Sequence, residues 1–258
     1  MSWSRLFWIG LGGLVVLATP LLLGAPLLST PGTSLLGSPG DTGGDSQIEA
    51  CTAFAFQTSG SGWVGKNLDW AVEDGIVVVN ERGVRKESWH PGTPSGFSWV
   101  SKFGSVTFNQ FGWGFPLGGI NEAGLVVEEL SYSPTRYPEP DGRPALNELQ
   151  WIQYQLDNSS SVGEVLASDT LVRIGKSLFG VHYLVADGSG SVAVIEFLDG
   201  ERVVHSGEDL PVQVLANDTY WNSVRYLGHH VGFGGSSVVS NGPESPDLFV
   251  RAASMLQE

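Results

Sequence analysis

Residues 6–40 carry no charged side chain, and the run from Leu6 to Leu28 is almost wholly apolar behind Arg5. That feature limits what the N-terminus can contribute to a folded core. Roughly 20 apolar residues suffice to span a bilayer, although Pro20 and Pro26 weaken the second half as a helix. At the extreme N-terminus, behind a cation, the stretch reads as an export signal or an uncleaved signal anchor. Residues 29–47 are dominated by Gly, Pro, Ser and Thr. Such a segment buries too little apolar surface to order itself and reads as a linker. The expected organisation is residues 1–28 as signal peptide or anchor, 29–50 as flexible linker or propeptide, and 51–258 as one compact domain. Export places that domain in the periplasm or outside the cell, held to a membrane only through residues 6–28 if they stay attached.

The domain is acidic. From Cys51 onward 12 Lys and Arg face 24 Asp and Glu. Nucleic-acid binding needs clustered cations and is excluded as a function class. The charge also gives anionic substrates no long-range attraction. There is one cysteine, which rules out an internal disulfide and a Cys-based zinc site. His229 and His230 are adjacent and point apart on any regular element, so no metal or other cofactor is expected. G-x-S-x-G, the phosphate-binding lysine loop and a complete G-x-G-x-x-G are all missing.

The pattern from Cys51 is mostly strand. Thr52–Thr58 alternates, with Phe54 and Phe56 on one face and Ala53 and Ala55 on the other. Strands are expected at Trp63–Trp70, Gly75–Asn80, Gly83–Trp89, Ser105–Asn109 and Leu125–Leu130, joined by short Gly or charged breaks. The period then changes: Ala145, Leu149, Ile152 and Leu156 share a helical face, and Ser161 with Glu164 forms a capping box for a second helix. Strands return at Val181–Ala186, Val192–Leu198 and Val212–Ala216. Ser245-Pro246-Asp247 opens a last helix carrying Phe249, Val250, Ala253 and Leu256. Strands, helices, strands and a helix point to the α+β class.

Cys51 stands where the linker ends and the first alternating strand begins. Were the Ala50–Cys51 bond cut, Cys51 would carry a thiol and a free α-amine. An α-amine titrates near 7.7–8.0, against about 10.4 for lysine, so it can act as general base for its own side chain near neutral pH. The bland alternative is a buried cysteine packing as a small hydrophobe.

The run Cys51-Thr52-Ala53-Phe54, followed by Gly65-Lys66-Asn67-Leu68-Asp69-Trp70, resembles the opening of the choloylglycine hydrolase and penicillin V acylase family. These are N-terminal nucleophile hydrolases of linear amides. Phe108-Asn109-Gln110 and Gly118-Gly119-Ile120-Asn121-Glu122-Ala123-Gly124-Leu125 resemble its N-E-x-G-L block, Leu215-Ala216-Asn217 its L-T-N segment, and Phe249-Val250-Arg251 its F-x-R segment. The resemblance implies a four-layer αββα sandwich, with further strands beyond the point where this chain stops. It implies that Cys51 attacks an amide of an N-acyl small molecule to form a thioester, that Asp69 orients the nucleophile and its amine, and that Asn217 donates to the oxyanion. Lys66 stands where the family has arginine and lacks its bidentate fork. Ser131 stands where relatives place a second oxyanion asparagine. The family's catalytic arginine aligns with Leu248, and Arg251 matches a second arginine one helical turn on. Trp63, Trp70, Trp113 and Phe115 are the aromatic candidates for an acyl pocket.

Because Ile48 is bulky for a signal-peptidase site, the cut before Cys51 is expected to be autocatalytic or made by another protease. Two rival functions remain at this level: an exported binding or scaffold domain without turnover, and an acyltransferase passing the thioester to an amine. A homo-oligomer is compatible with all three.

Overall fold

The alternation in Thr52–Thr58 sets which face of the sheet Cys51 and Ala53 occupy. In the computed structural model, which describes residues 6–11, 50–69, 74–89, 96–175 and 178–257, these residues form a strand whose even and odd positions face opposite ways. The elements run β1 (Leu6–Leu11), β2 (Thr52–Thr58), β3 (Ser61–Asn67), β4 (Ile76–Asn80), β5 (Arg85–Glu87), β6 (Ser98–Val100), β7 (Ser105–Asn109), β8 (Pro116–Asn121), β9 (Val126–Ser131) and β10 (Ala145–Leu146). There follow α1 (Glu148–Asn158), α2 (Val162–Ala167), β11 (Arg173–Ile174), β12 (Val181–Ala186), β13 (Val192–Leu198), β14 (Glu201–Ser206), β15 (Val214–Ala216), α3 (Tyr220–Leu227) and α4 (Ser245–Met255).

One sheet has the order β1-β3-β2-β15 and a larger one the order β14-β13-β12-β9-β8-β7-β4. Neighbours in both are antiparallel. Leu125, Val127, Tyr183, Val185, Ala193 and Ile195 leave one face of the large sheet to pack under Leu149, Ile152 and Leu156 of α1 and Val162 and Val165 of α2. Val126, Leu130, Leu184, Ala186 and Val194 leave the other face to meet Cys51, Ala53, Ala55 and Val64 of the small sheet, and the same core continues to Tyr220, Leu227, Phe249 and Val250 of α3 and α4. The layers are helix, sheet, sheet, helix: an αββα sandwich of the α+β class.

Several boundaries differ from the sequence pattern for identifiable reasons. Ala145 lies in a short parallel bridge to Arg173, and α1 starts only at Glu148, because Asn147 Oδ1 accepts from Leu149 N at 3.0 Å and Gln150 N at 2.8 Å. Ser161 caps Glu164 N as expected at 3.2 Å, but the Glu164 carboxylate returns to Ser160 N at 2.6 Å. Gly83–Trp89 shortens to β5. β8, β14 and α3 had no distinct periodic signal; the buried residues of α3 are only Tyr220, Ser223 and Leu227, spaced three and four apart.

At the N-terminus Leu6–Leu11 is extended and pairs antiparallel with β3, Leu6 opposite Asn67 and Leu11 opposite Gly62. The rest of the expected leader and linker, residues 1–5 and 12–49, lies outside the described residues. Among the described residues no helix is long and apolar enough to cross a membrane.

Candidate active site

The register of the small sheet brings the chemistry together. Ala216 pairs with Thr52 and Asn67 pairs with Thr52 on the other side. One step beyond, Asn217 and Leu68 flank Cys51. Cys51, Ala53 and Lys66 share the inner face, since Lys66 pairs with Ala53 and side chains of directly opposed residues point the same way. Gly65 leaves room for the Phe54 ring on the other face, which a Cβ there would approach to 2.6 Å.

Cys51 is buried, as is Ala50 before it. Burial pushes the thiol up to about 11; Lys66 opposes this, as do the Asp69 backbone N–H and the Asn217 side chain. With Ala50 attached, the sulfur is therefore a thiol at neutral pH. Asn217 Nδ2 donates to Ser131 O at 2.7 Å, and its own N–H donates to Ser245 Oγ at 2.7 Å. The amide is thus braced from β9 and from the start of α4. Ser245 opens the last helix as expected, but its hydroxyl holds Asn217, and α4 begins without a side-chain cap. Asp69 Oδ2 accepts from Asn67 Nδ2 at 2.9 Å.

Lys66 does not act alone. Its ammonium donates to Leu117 O at 3.1 Å and to Glu129 Oε1 at 3.4 Å, and lies 3.5 Å from Glu128 Oε2. Burial pushes the ammonium down, but Glu129 and Glu128 overcome it and the net shift is upward. Glu128 is pushed up to about 7 by burial, against the pull of Lys66. Gly118 makes room for that carboxylate, since a Cβ would lie 1.9 Å from Glu128 Oε2. The acidic pair beside Lys66 was the feature of this site that the sequence reading passed over. Two adjacent glutamates within the apolar run Leu125–Leu130 were the available signal.

Leu68, Gln110, Phe111, Leu117, Glu129, Ser131, Phe179 and Val181 line a cavity of about 30 Å³ with Cys51. That volume holds about one water. Phe111 and Phe179 meet at 5.1 Å across it. The Phe179 segment is held by Glu148 at the start of α1, whose carboxylate accepts from Leu178 N at 2.5 Å and from Phe179 N. Of the expected aromatics, Trp70 lies outside the described residues. Trp113 is 75% exposed, Phe115 packs edge-on against Trp89, and Trp63 stacks on Phe56. Arg251 donates to Ser240 O at 2.9 Å and Gly242 O at 2.7 Å and braces that loop. Ser131 lines the cavity and lends its carbonyl to Asn217. Among the described residues no three His, Cys, Asp or Glu side chains converge as metal ligands.

The model of the linear amide C–N hydrolases of the choloylglycine hydrolase family matches residues 51–241, starting at Cys51. The chain belongs to this family. Among curated relatives, penicillin V acylase from Pectobacterium atrosepticum is 28% identical over 233 residues, covering 79% of this chain and 59% of the relative. A bile salt hydrolase/transferase from Bifidobacterium longum is 25% identical over 193 residues, 68% of this chain and 58% of the relative. The chain therefore spans less than two thirds of the length of these family members. Among solved structures, penicillin V acylase from Agrobacterium tumefaciens superposes with a TM-score of 0.69 at 28% identity, covering 80% of this chain and 65% of that one. A conjugated bile acid hydrolase variant from Clostridium perfringens shares the fold, with a TM-score of 0.67 at 19% identity over 80% of this chain and 72% of that one.

Proposed function

We propose that this family member hydrolyses the amide bond of an N-acyl small molecule through a thioester on Cys51, after the peptide bond between Ala50 and Cys51 has been broken. The single observation that carries the reading is Cys51 on the inner sheet face, flanked by the Asn217 amide and the Asp69 N–H. A thiol pushed up to about 11 needs a base at neutral pH. Its own α-amine, freed by cleavage and titrating near 7.7–8.0, is such a base.

The amine takes the thiol proton as Cys51 Sγ attacks the amide carbonyl. Asn217 Nδ2 has one hydrogen committed to Ser131 O, and the other stabilises the oxyanion. Collapse expels the amine, protonated by the Cys51 ammonium, and leaves the thioester. Water, deprotonated by the same amine, then releases the carboxylic acid and the thiol. Asp69 orients the amine. Lys66 provides a positive field near the sulfur, moderated by its two glutamates. Leader removal uses the same sulfur before the free amine exists. Ala50 and Cys51 are each only 2% exposed, which favours cleavage from within: Cys51 Sγ attacks the Ala50 carbonyl, the thiol proton passes to Cys51 N as the C–N bond breaks, and water hydrolyses the resulting thioester to free the thiol and the Ala50 carboxylate. An acyl group does not fit in 30 Å³, so binding displaces the Phe111 and Phe179 rings.

N-terminal sequencing of purified enzyme, beside an amide panel run on wild type and Cys51→Ser, tests the scheme. Active protein starting at Cys51 is expected. A fully active preparation with the Ala50–Cys51 bond intact removes the base and the mechanism. A second reading, acyl transfer to an amine, is favoured by the relative named as hydrolase/transferase. Added amine acceptors should then yield new amides, and their absence leaves hydrolysis alone.

A further inference from the structure

A buried charged cluster sits outside the residues used above. Glu196 on β13 is 1% exposed. Its Oε2 accepts from His205 Nε2 on β14 at 2.8 Å, and its Oε1 accepts from His182 Nδ1 on β12 at 3.4 Å and from the backbone N–H of Tyr220 at 3.0 Å. A carboxylate is accept-only, so both rings donate. A buried carboxylate with three donors is held tightly in place, because every displacement strands one of them.

Its donors reach both sides of the oxyanion corner. Tyr220 opens α3, three residues after Asn217, and its ring is fixed as well: the hydroxyl donates to Val212 O at 2.9 Å, and the ring lies 4.8 Å from His205. His182 stacks at 5.3 Å and 18° on Tyr132, the residue after Ser131. Ser131 O is the acceptor that orients Asn217 Nδ2. One carboxylate thus ties down the segment that carries the oxyanion donor and the strand end that aims it.

We propose that Glu196, with His182 and His205, is a positioning clamp for Asn217 in the amide hydrolase reaction, an inference that rests on the function proposed above. Glu196 touches neither substrate nor sulfur. It acts by fixing where the Asn217 N–H points. Displacement of a catalytic group by about 1 Å costs on the order of 100-fold in rate.

The test is a double-mutant cycle on the full chain in its matured form. Glu196→Gln is expected to lower kcat by about 10- to 100-fold with KM nearly unchanged. In an Asn217→Ala background the same substitution should change kcat less than about twofold, because the group it positions is gone. His205→Leu removes one donor while leaving Glu196 in place. It serves if Glu196→Gln does not fold, and it should show the same loss and the same coupling to Asn217. An equal fall in both backgrounds overturns the clamp while leaving Asn217 as oxyanion donor. A kcat unchanged by either substitution in folded protein overturns it too. If Asn217→Ala itself leaves kcat unchanged, the oxyanion assignment fails first and takes the clamp with it.

Discussion

At the scale of single residues, two substitutions separate chemistry from framework. Asn217→Ala removes the proposed oxyanion donor, for which the expected loss is about 100- to 1,000-fold in kcat with KM little changed, read from steady-state kinetics on any amide that turns over. Lys66→Met acts differently. It strands Glu128 and Glu129, both buried beside Cys51. Breaking a buried pair by removing one partner destabilises by about 3–5 kcal/mol, which urea unfolding measures. A Lys66→Met protein as stable as wild type would show that the carboxylates are not ionised there. Cys51, Asp69 and Asn217 were visible in the sequence through local runs that resemble a family. Glu129 and Ser245 were not, because what matters about them is contact: Glu129 meets a lysine 63 positions earlier in the chain, and Ser245 meets Asn217 28 positions earlier.

At the scale of elements, the α1 start and the segment it holds decide the shape of the cavity. Asn147→Ala removes a cap with two backbone donors and should lower stability by about 1 kcal/mol, seen as a lower thermal midpoint. Phe179→Ala removes one wall of a cavity of about 30 Å³. KM for substrates with bulky acyl groups should fall while kcat for small ones stays. An unchanged KM across acyl sizes would place acyl binding elsewhere. Helix α1 was legible from its buried stripe, but its start was not, since Asn147 competes with the periodic pattern for the same backbone donors. α3 was hidden because Trp221 and Tyr226 stand exposed beside Asn222 and Arg225 and blur its apolar stripe, and it becomes a helix because Tyr220 and Leu227 find a core in α4 and β15.

For the whole molecule, two buried carboxyls give stability a pH profile. Burial pushes Glu196 up, but hydrogen bonds from His182, His205 and Tyr220 N outweigh it and hold the carboxyl at about 2, against 4.5 unperturbed. Its contribution is present above 4.5 and is lost as pH falls towards 2. Glu128, raised to about 7, has the opposite sign: the folded state binds a proton that the unfolded chain gives up, so stability falls as pH rises from 4.5 to 7. The thermal midpoint should peak on the acid side of neutrality, and Glu128→Gln should flatten the limb between pH 5 and 7. A midpoint that rises steadily through that interval would count against a Glu128 carboxyl that keeps its proton in the folded state. The sequence alone determined the α+β class, the alternating strand after Cys51, the acidity and the family likeness, because these reside in periodicity, composition and contiguous motifs. Only the tertiary structure decided which carboxylates face Lys66, which hydroxyl braces Asn217 and which rings close the cavity. Such groups lie tens of residues apart along the chain and meet only when two sheets pack face to face.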